Sequence, residues 1–272
     1  MENVYQNRLV KFENILNLTD DMFDRLIAVC ELSPGHTILD AGAGYGAVTR
    51  EIMKRHAQMD LHYHLVEVSH TQLERARYEL AQFLDPEVFH NATAFFNHSI
   101  LDTYLPSGNY DRVIAKMLWQ EIPQAEQAKL VREFYRLVKP GGKLIVWQVC
   151  LDGPLADFYR KIVKQKDELA DYAELAQQRH FPSREEITLE LKAAGFQPVG
   201  LGAVMPYAFE SIKRLHTDFK GDFDKLWDWN EYILDEFYAL PERTQEKLKF
   251  QHEGQNIRLE LEWGLFVADK PA

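Results

Sequence analysis

Residues 37–52 read TILDAGAGYGAVTREI, an apolar run, an aspartate and then Gly42, Gly44 and Gly46 at the opening of a helical pattern. Glycines between a strand and a helix permit a tight turn and let a ligand approach the backbone, beside first-turn amides that have no partner within the helix. Such turns hold dinucleotides, nucleotide phosphates and other nucleoside ligands alike. Asp40 discriminates among them. A carboxylate two residues ahead of the turn would stand beside a dianionic pyrophosphate, at a cost on the order of 1 kcal/mol or more when poorly solvated. A ligand carrying cationic groups reverses that sign. Spacing alone still allows a dinucleotide, because Ala47 completes G-x-G-x-x-A and Glu67 lies near the distance of a ribose-binding acid.

Outward from the turn, apolar runs alternate with helical patterns, the signature of a sheet wound on both sides by helices. Thr37 to Ala41, His62 to Glu67, Thr93 to His98, Asp111 to Leu118 and Lys143 to Cys150 read as strands, the last (KLIVWQVC) apolar enough to be central. Ser69 with Gln72 and Ser183 with Glu186 have the spacing of helix caps, the second helix stopping at Gly195 and leading to a strand near Gln197 to Ala203. An amphipathic helix follows Pro123 and ends at Lys139-Pro140-Gly141-Gly142. Asn256 to Asp269 alternates like an antiparallel strand. The expected fold is therefore α/β, a doubly wound Rossmann-like seven-stranded mixed sheet whose last strand is antiparallel. Its core would comprise 32–203 plus 256–272, with 1–31 as an N-terminal helical segment that can form part of a lid. Residues 154–181 and 207–252, the latter rich in Phe, Tyr and Trp, read as helical insertions that can form a lid at the carboxyl ends of the strands, where open α/β sheets bind ligands.

Composition narrows the partners. With 42 acidic and 31 basic side chains the formal charge is −11, so nucleic acid is not expected as a substrate. Cys30 and Cys150 stand in apolar runs and read as core thiols. His62 and His64 share a strand face without a third ligand nearby, so no metal site is expected. No apolar run approaches the ~20 residues of a membrane span and the first residues lack a signal-peptide pattern, which points to a cytoplasmic protein without membrane contact. Oligomeric state is not readable.

Taken together, Leu39-Asp40-x-Gly42-x-Gly44-x-Gly46, Glu67 ending the second strand, Tyr110-Asp111-x-Val113 and Leu137-Val138-Lys139-Pro140-Gly141-Gly142-x-Leu144 resemble the class I S-adenosylmethionine-dependent methyltransferases. The resemblance covers about 32–203 plus the final strand. It implies S-adenosylmethionine as cofactor, with S-adenosylhomocysteine as product. Asp40 would organise the turn and reach the methionine ammonium, and Gly42 and Gly44 would pack their backbone on the cofactor. Glu67 would accept both ribose hydroxyls, its two oxygens suiting a vicinal diol. Ser99 stands where the family often has an aspartate facing the adenine amino group, with Ile100 against the ring. Lys116 and Met117 would offer backbone carbonyls to the methionine moiety, the Lys116 side chain turning to water.

Methyl transfer from a sulfonium needs chiefly alignment and exclusion of water. The expected acceptor is a small, partly apolar molecule, methylated on carbon, oxygen or nitrogen, under an aromatic lid drawing on Tyr207, Phe209, Trp227, Trp229, Tyr232, Phe237, Phe158, Tyr159 and Tyr172. Where the acceptor must lose a proton, Glu121 is the leading base, with Tyr5, His180 and His216 as further catalytic candidates. Three rivals stay open: an enzyme of the same fold catalysing a cyclisation or other rearrangement, a nicotinamide-dependent oxidoreductase, and a noncatalytic cofactor-binding subunit.

Overall fold

A computed structural model of the chain describes residues 15–272; Tyr5, with the rest of residues 1–14 of the N-terminal segment, lies outside them. Helix α1 (Asp20–Cys30) precedes the glycine-bearing unit β1 (His36–Ala41) and α2 (Ala47–Arg55). There follow β2 (Leu61–Val66), α3 (His70–Leu80), α4 (Pro86–Ala92), β3 (Thr93–Phe96) and β4 (Tyr110–Lys116). A 3₁₀ turn at Trp119–Glu121 leads into α5 (Gln124–Leu137) and β5 (Val138–Val149). After these come α6 (Pro154–Leu169), α7 (Ala173–Gln178), α8 (Arg184–Ala193) and β6 (Val199–Glu210). The chain closes with α9 (Arg214–Thr217), α10 (Phe223–Tyr238), α11 (Glu242–Lys247), β7 (Gln251–Glu253) and β8 (Asn256–Asp269).

The strands lie in the order β3-β2-β1-β4-β5-β8-β6, parallel from β3 to β5, with β8 antiparallel to both neighbours and short β7 paired to β8. This is the doubly wound Rossmann-like sheet, with one strand more than the seven expected. Period-2 alternation sorts its two faces. Ile114, Ile145 and Trp147 join the layer of α1 and α2, whereas Val113, Leu144 and Val146 join Leu130 and Phe134 of α5 and Ile187 of α8. The predicted caps form: Ser69 Oγ accepts from the Gln72 amide, and Ser183 and Glu186 make a reciprocal capping box.

Asp111 ties the amino end of the sheet together, accepting the Thr37 amide at 2.8 Å and the Lys139 ammonium at 2.7 Å. A Cβ on Gly142 would stand 3.0 Å from the Asp111 and Lys139 carbonyl oxygens, which explains a glycine there. Both motif segments thus brace the edge opposite the glycine turn.

The late insertion differs from its expected boundaries. Tyr207 and Phe209 belong to β6, which runs on to Glu210 because β8 continues to pair with it as far as Arg258. Tyr207 stacks on Trp263 with ring centroids 4.6 Å apart, and Trp263 meets Trp147 edge-on at 5.3 Å. The helices begin only after this two-stranded ribbon. In α10 the buried residues Leu226, Trp229, Ile233 and Phe237 recur at helical spacing, and the Trp229 indole donates to the Ile162 carbonyl of α6 at 2.7 Å. Trp227 and Tyr238 lie on the opposite, exposed side.

Candidate active site

A cavity of about 260 Å³ opens at the carboxyl ends of β1, β2 and β4 and is covered from the far side by α6, α9, α10 and the segment after α7. The glycine turn forms its floor. Gly42, Gly44 and Gly46 have φ of 66°, 55° and 74°, which side chains rarely adopt. A Cβ on Gly42 would also lie 2.7 Å from Leu118 Cδ1 and displace that side chain, so the positive φ is what requires glycine. The Gly42 and Ala43 amides donate to the Val66 carbonyl at 2.9 and 3.0 Å, which seats the turn on the end of β2.

Two acids flank this floor. Asp40 is 2% exposed, and its Oδ2 accepts from the Thr49 amide at 3.2 Å and the Thr49 hydroxyl at 2.8 Å. Gly46, the N-cap of α2, has no side chain to offer, so Asp40 satisfies that first-turn amide in its place. Both bonds fall on Oδ2, leaving Oδ1 as the atom a ligand can reach. Burial pushes the Asp40 carboxyl up to about 6, against the opposing pull of Thr49 and of the Lys116 charge. Glu67 accepts the Gly44 amide on one oxygen and the Ser69 amide on the other, each at 2.9 Å. Burial raises it as well, against the pull of those amides. Each carboxylate oxygen has a second lone-pair site, so Glu67 can pin the turn and still accept from a ligand.

Ser99, Ile100, Lys116 and Met117 also border the cavity, so all eight residues expected for cofactor binding surround one space. Two differ in detail from expectation. The Lys116 side chain turns inward rather than to water: strand alternation sets it on the face of Ile114, with its ammonium 5.9 Å from the ring centroid of buried Trp147. The Met117 carbonyl already accepts from the Gln120 amide at 2.5 Å, and Met117 itself has φ 52°, a strained conformation of the kind that collects at functional sites. Ser99 Oγ accepts from the Leu101 amide at 3.2 Å.

The catalytic candidates separate. Glu121 lies on the cavity wall, but both its oxygens are held by Arg179, from Nη2 at 2.8 and 2.7 Å and from Nε at 2.9 Å. His180 is not brought to the cavity: its ring meets Glu186 at 3.2 Å, drawn there by the capping box of α8, while the neighbouring Arg179 and Phe181 line the space. His216 is exposed on α9, away from the lining. Of the aromatic residues expected in the lid, Tyr159, Phe209 and Trp229 face the cavity. Tyr207 is spent on Trp263, and Phe237 stacks on Phe250 at 4.2 Å.

Sequence reasoning missed the cations. Lys166, Arg179 and Arg214 line the cavity, backed by Asp167 and Asp218. Lys166 donates to Asp167 at 2.5 Å and to Asp218 at 2.9 Å, while Arg179 donates to Asp167 at 3.0 and 3.2 Å. No spacing rule joins these positions, which come from three separate segments.

Residues 38–142 match the methyltransferase domain family. Residues 38–142 are thus a methyltransferase domain. This domain is 28% identical over 116 residues to phosphoethanolamine N-methyltransferase 2 of Caenorhabditis elegans, a match covering 43% of this chain and 24% of that protein. A methyltransferase-fold structure from Bacillus halodurans superposes with a TM-score of 0.72 at 16% identity, covering 93% of this chain and 100% of the other. Phosphoethanolamine N-methyltransferase 2 of Haemonchus contortus, solved in complex with S-adenosyl-L-methionine, gives a TM-score of 0.57 at 20% identity over 96% of this chain and 56% of its own. The matched family region contains the glycine turn, Glu67 and Asp111 but ends before the helices that cover the cavity. No helix among the described residues is long and apolar enough to cross a membrane.

Proposed function

We propose that the cavity holds S-adenosylmethionine together with a small, partly apolar acceptor, and that the protein methylates that acceptor beneath its helical cover. The observation that carries this reading is the pair of buried acids at one glycine turn, Asp40 aimed at a cation and Glu67 at a diol. The donor set fits the group: Gly42 leaves room that a Cβ would take, and a cationic ligand is stabilised by acids already desolvated. A pyrophosphate in the same place would meet two carboxylates.

When bound, S-adenosylmethionine supplies a methyl group on a good leaving group. Glu67 accepts from the ribose hydroxyls and Asp40 Oδ1 from the ammonium, while Gly42 and Gly44 let the ligand lie on the backbone. Ile100 and Ser99 border the base. Lys116 and Met117 would border the methionine end, the Met117 carbonyl being already engaged by Gln120. Tyr159, Phe181, Phe209 and Trp229 keep water from the reacting atoms, which strengthens every charge interaction inside. Alignment of the acceptor is the main contribution expected of the protein.

Glu121 belongs to the acceptor side, where it fixes Arg179. To take a proton it would have to release those hydrogen bonds, so transfer by positioning is favoured over general-base catalysis by this residue. Glu121→Gln is expected to lower turnover by less than about tenfold; a loss of the ~10² to 10⁴ associated with a general base would restore that role.

Calorimetry with S-adenosylmethionine, S-adenosylhomocysteine and NAD tests the cofactor reading. The first two should bind and NAD should not; tight binding of NAD alone would overturn it. A methyl-donor assay against small-molecule pools then tests transfer.

A further inference from the structure

The cavity has two chemically different ends. Opposite the glycine turn, apolar Val163, Phe181 and Trp229 give way to three cationic side chains, Lys166, Arg179 and Arg214. These are 4%, 8% and 11% exposed, on two helices and the segment between them. Their acidic partners are not placed symmetrically. Asp167 and Asp218 are 0% and 1% exposed and stand behind the cations, outside the lining, so that among the described residues only Glu121 brings a carboxylate to this end of the space.

Burying six charges is costly, and a network serving stability alone is commonly replaceable by apolar residues without loss. Here Asp167 and Asp218 are sealed away, while Lys166, Arg179 and Arg214 line the cavity beside Tyr159, Phe181 and Trp229. Tyr159 adds a hydroxyl on the same wall; burial pushes its phenol well above the ordinary range, so it is a hydrogen-bond donor at neutral pH. Arg179 and Arg214 are planar forks of the kind that match a carboxylate or phosphate, that of Arg179 now filled by Glu121 and Asp167, and Lys166 is a point charge linked to Asp167 and Asp218.

We propose that the acceptor carries an anionic group, a carboxylate or a phosphate, held by Lys166, Arg179 and Arg214. Calling the ligand an acceptor rests on the methyl-transfer reading; the anion site itself does not. An anion seated on this wall competes with Glu121 for Arg179, and it anchors the molecule so that its remaining, partly apolar portion extends past Tyr159 and Trp229 toward the glycine turn. The geometry thereby sets which end of the acceptor meets the methyl donor.

The test uses the full chain and four ring probes that differ in head group: benzoate, phenyl phosphate, benzyl alcohol and benzylamine. Calorimetry is run with and without S-adenosylhomocysteine. At least one anionic probe should bind tenfold or more tightly than both others, and whichever anion binds better distinguishes carboxylate from phosphate. Arg214→Gln should cut that preference below threefold while the affinity for S-adenosylhomocysteine stays within twofold. Arg214→Lys, which keeps the charge, should retain most of the preference. Because Arg214→Gln leaves Asp218 with one partner fewer, the charge-balanced pair Lys166→Met with Asp218→Asn serves as a second variant expected to lose the preference. Equal binding of benzyl alcohol or benzylamine, or a preference that survives in both variants, would overturn the proposal. Anion preference without any binding of S-adenosylhomocysteine would sustain the cationic wall and sink the methyl-donor reading, so the two failures are distinguishable.

Discussion

The two walls of the cavity are built by different means. The wall of the glycine turn draws on residues 40–44 and 67, close in sequence and held by backbone amides, so that one turn and two strand ends make it. The opposite wall joins Glu121, Lys166, Arg179 and Arg214 through side-chain charges alone. A wall of backbone tolerates change in its neighbours, whereas a wall of coupled charges fails as a unit. Arg179→Met exposes that contrast most sharply. It takes the guanidinium from Glu121 and leaves buried Asp167 with the Lys166 ammonium, and thermal or chemical denaturation should find the protein less stable by about 3 to 5 kcal/mol. A loss below about 1 kcal/mol would mean that the network is not coupled.

Glu67→Ala probes the other wall. Two backbone amides lose their acceptor and the ribose loses a diol partner, worth about 3 kcal/mol or roughly a hundredfold in affinity. Calorimetry with S-adenosylhomocysteine reads it, and affinity unchanged within threefold would remove Glu67 from the site.

That difference also decides what could be read beforehand. The α/β sheet and its antiparallel β8 were legible because each depends on local periodicity, whereas the eight residues proposed to hold the cofactor came from short motifs and the family resemblance those motifs carry. Asp40 was readable as an acid beside the turn, though its bond to the Thr49 hydroxyl shows that the same group also caps α2. The charged wall was not legible. Lys166 and Arg214 sit at ordinary helical spacing, where a basic residue most often faces solvent, and only the packing of α6 beside α10 makes them interior. His180 looked more chemical than Arg179, yet the capping box one turn ahead fixes its ring on Glu186. The ribbon of β6 and β8 was cut short for a related reason: Tyr207 and Phe209 suit a helix face as well as a strand, and their pairing with residues 259–261 is a long-range fact.

Protonation supplies a smaller test, confined to the turn. With the Asp40 carboxyl raised to about 6, the ligand-free protein carries it mostly ionised at pH 7 and mostly protonated at pH 5. A cationic ligand binds the ionised form, so a proton competes with it. Affinity for S-adenosylmethionine should be nearly fully present above about pH 7, be roughly halved near pH 6 and fall about tenfold from pH 7 to pH 5, with Asp40→Asn weaker but much flatter across that range. Glu67 is shifted in the same direction and can only steepen the fall. A wild-type profile that stays flat would place the ammonium elsewhere.

The smallest effect is expected at Ser99, in the cavity lining just after β3. Its hydroxyl oxygen already accepts from the Leu101 amide, an interaction that shapes its own loop and leaves only one lone pair for an adenine amino group. Buried Ile100 beside it offers apolar contact that does not depend on that hydroxyl. Ser99→Ala should therefore weaken S-adenosylhomocysteine by no more than about threefold, under 1 kcal/mol, because a shared neutral hydrogen bond near solvent contributes little. Ser99→Asp should instead tighten it severalfold, since a carboxylate can serve the loop amide and the adenine amino group at once. A tenfold loss in the alanine variant would mean that the hydroxyl carries adenine recognition by itself, and that the turn wall depends on single side chains as much as the charged wall does.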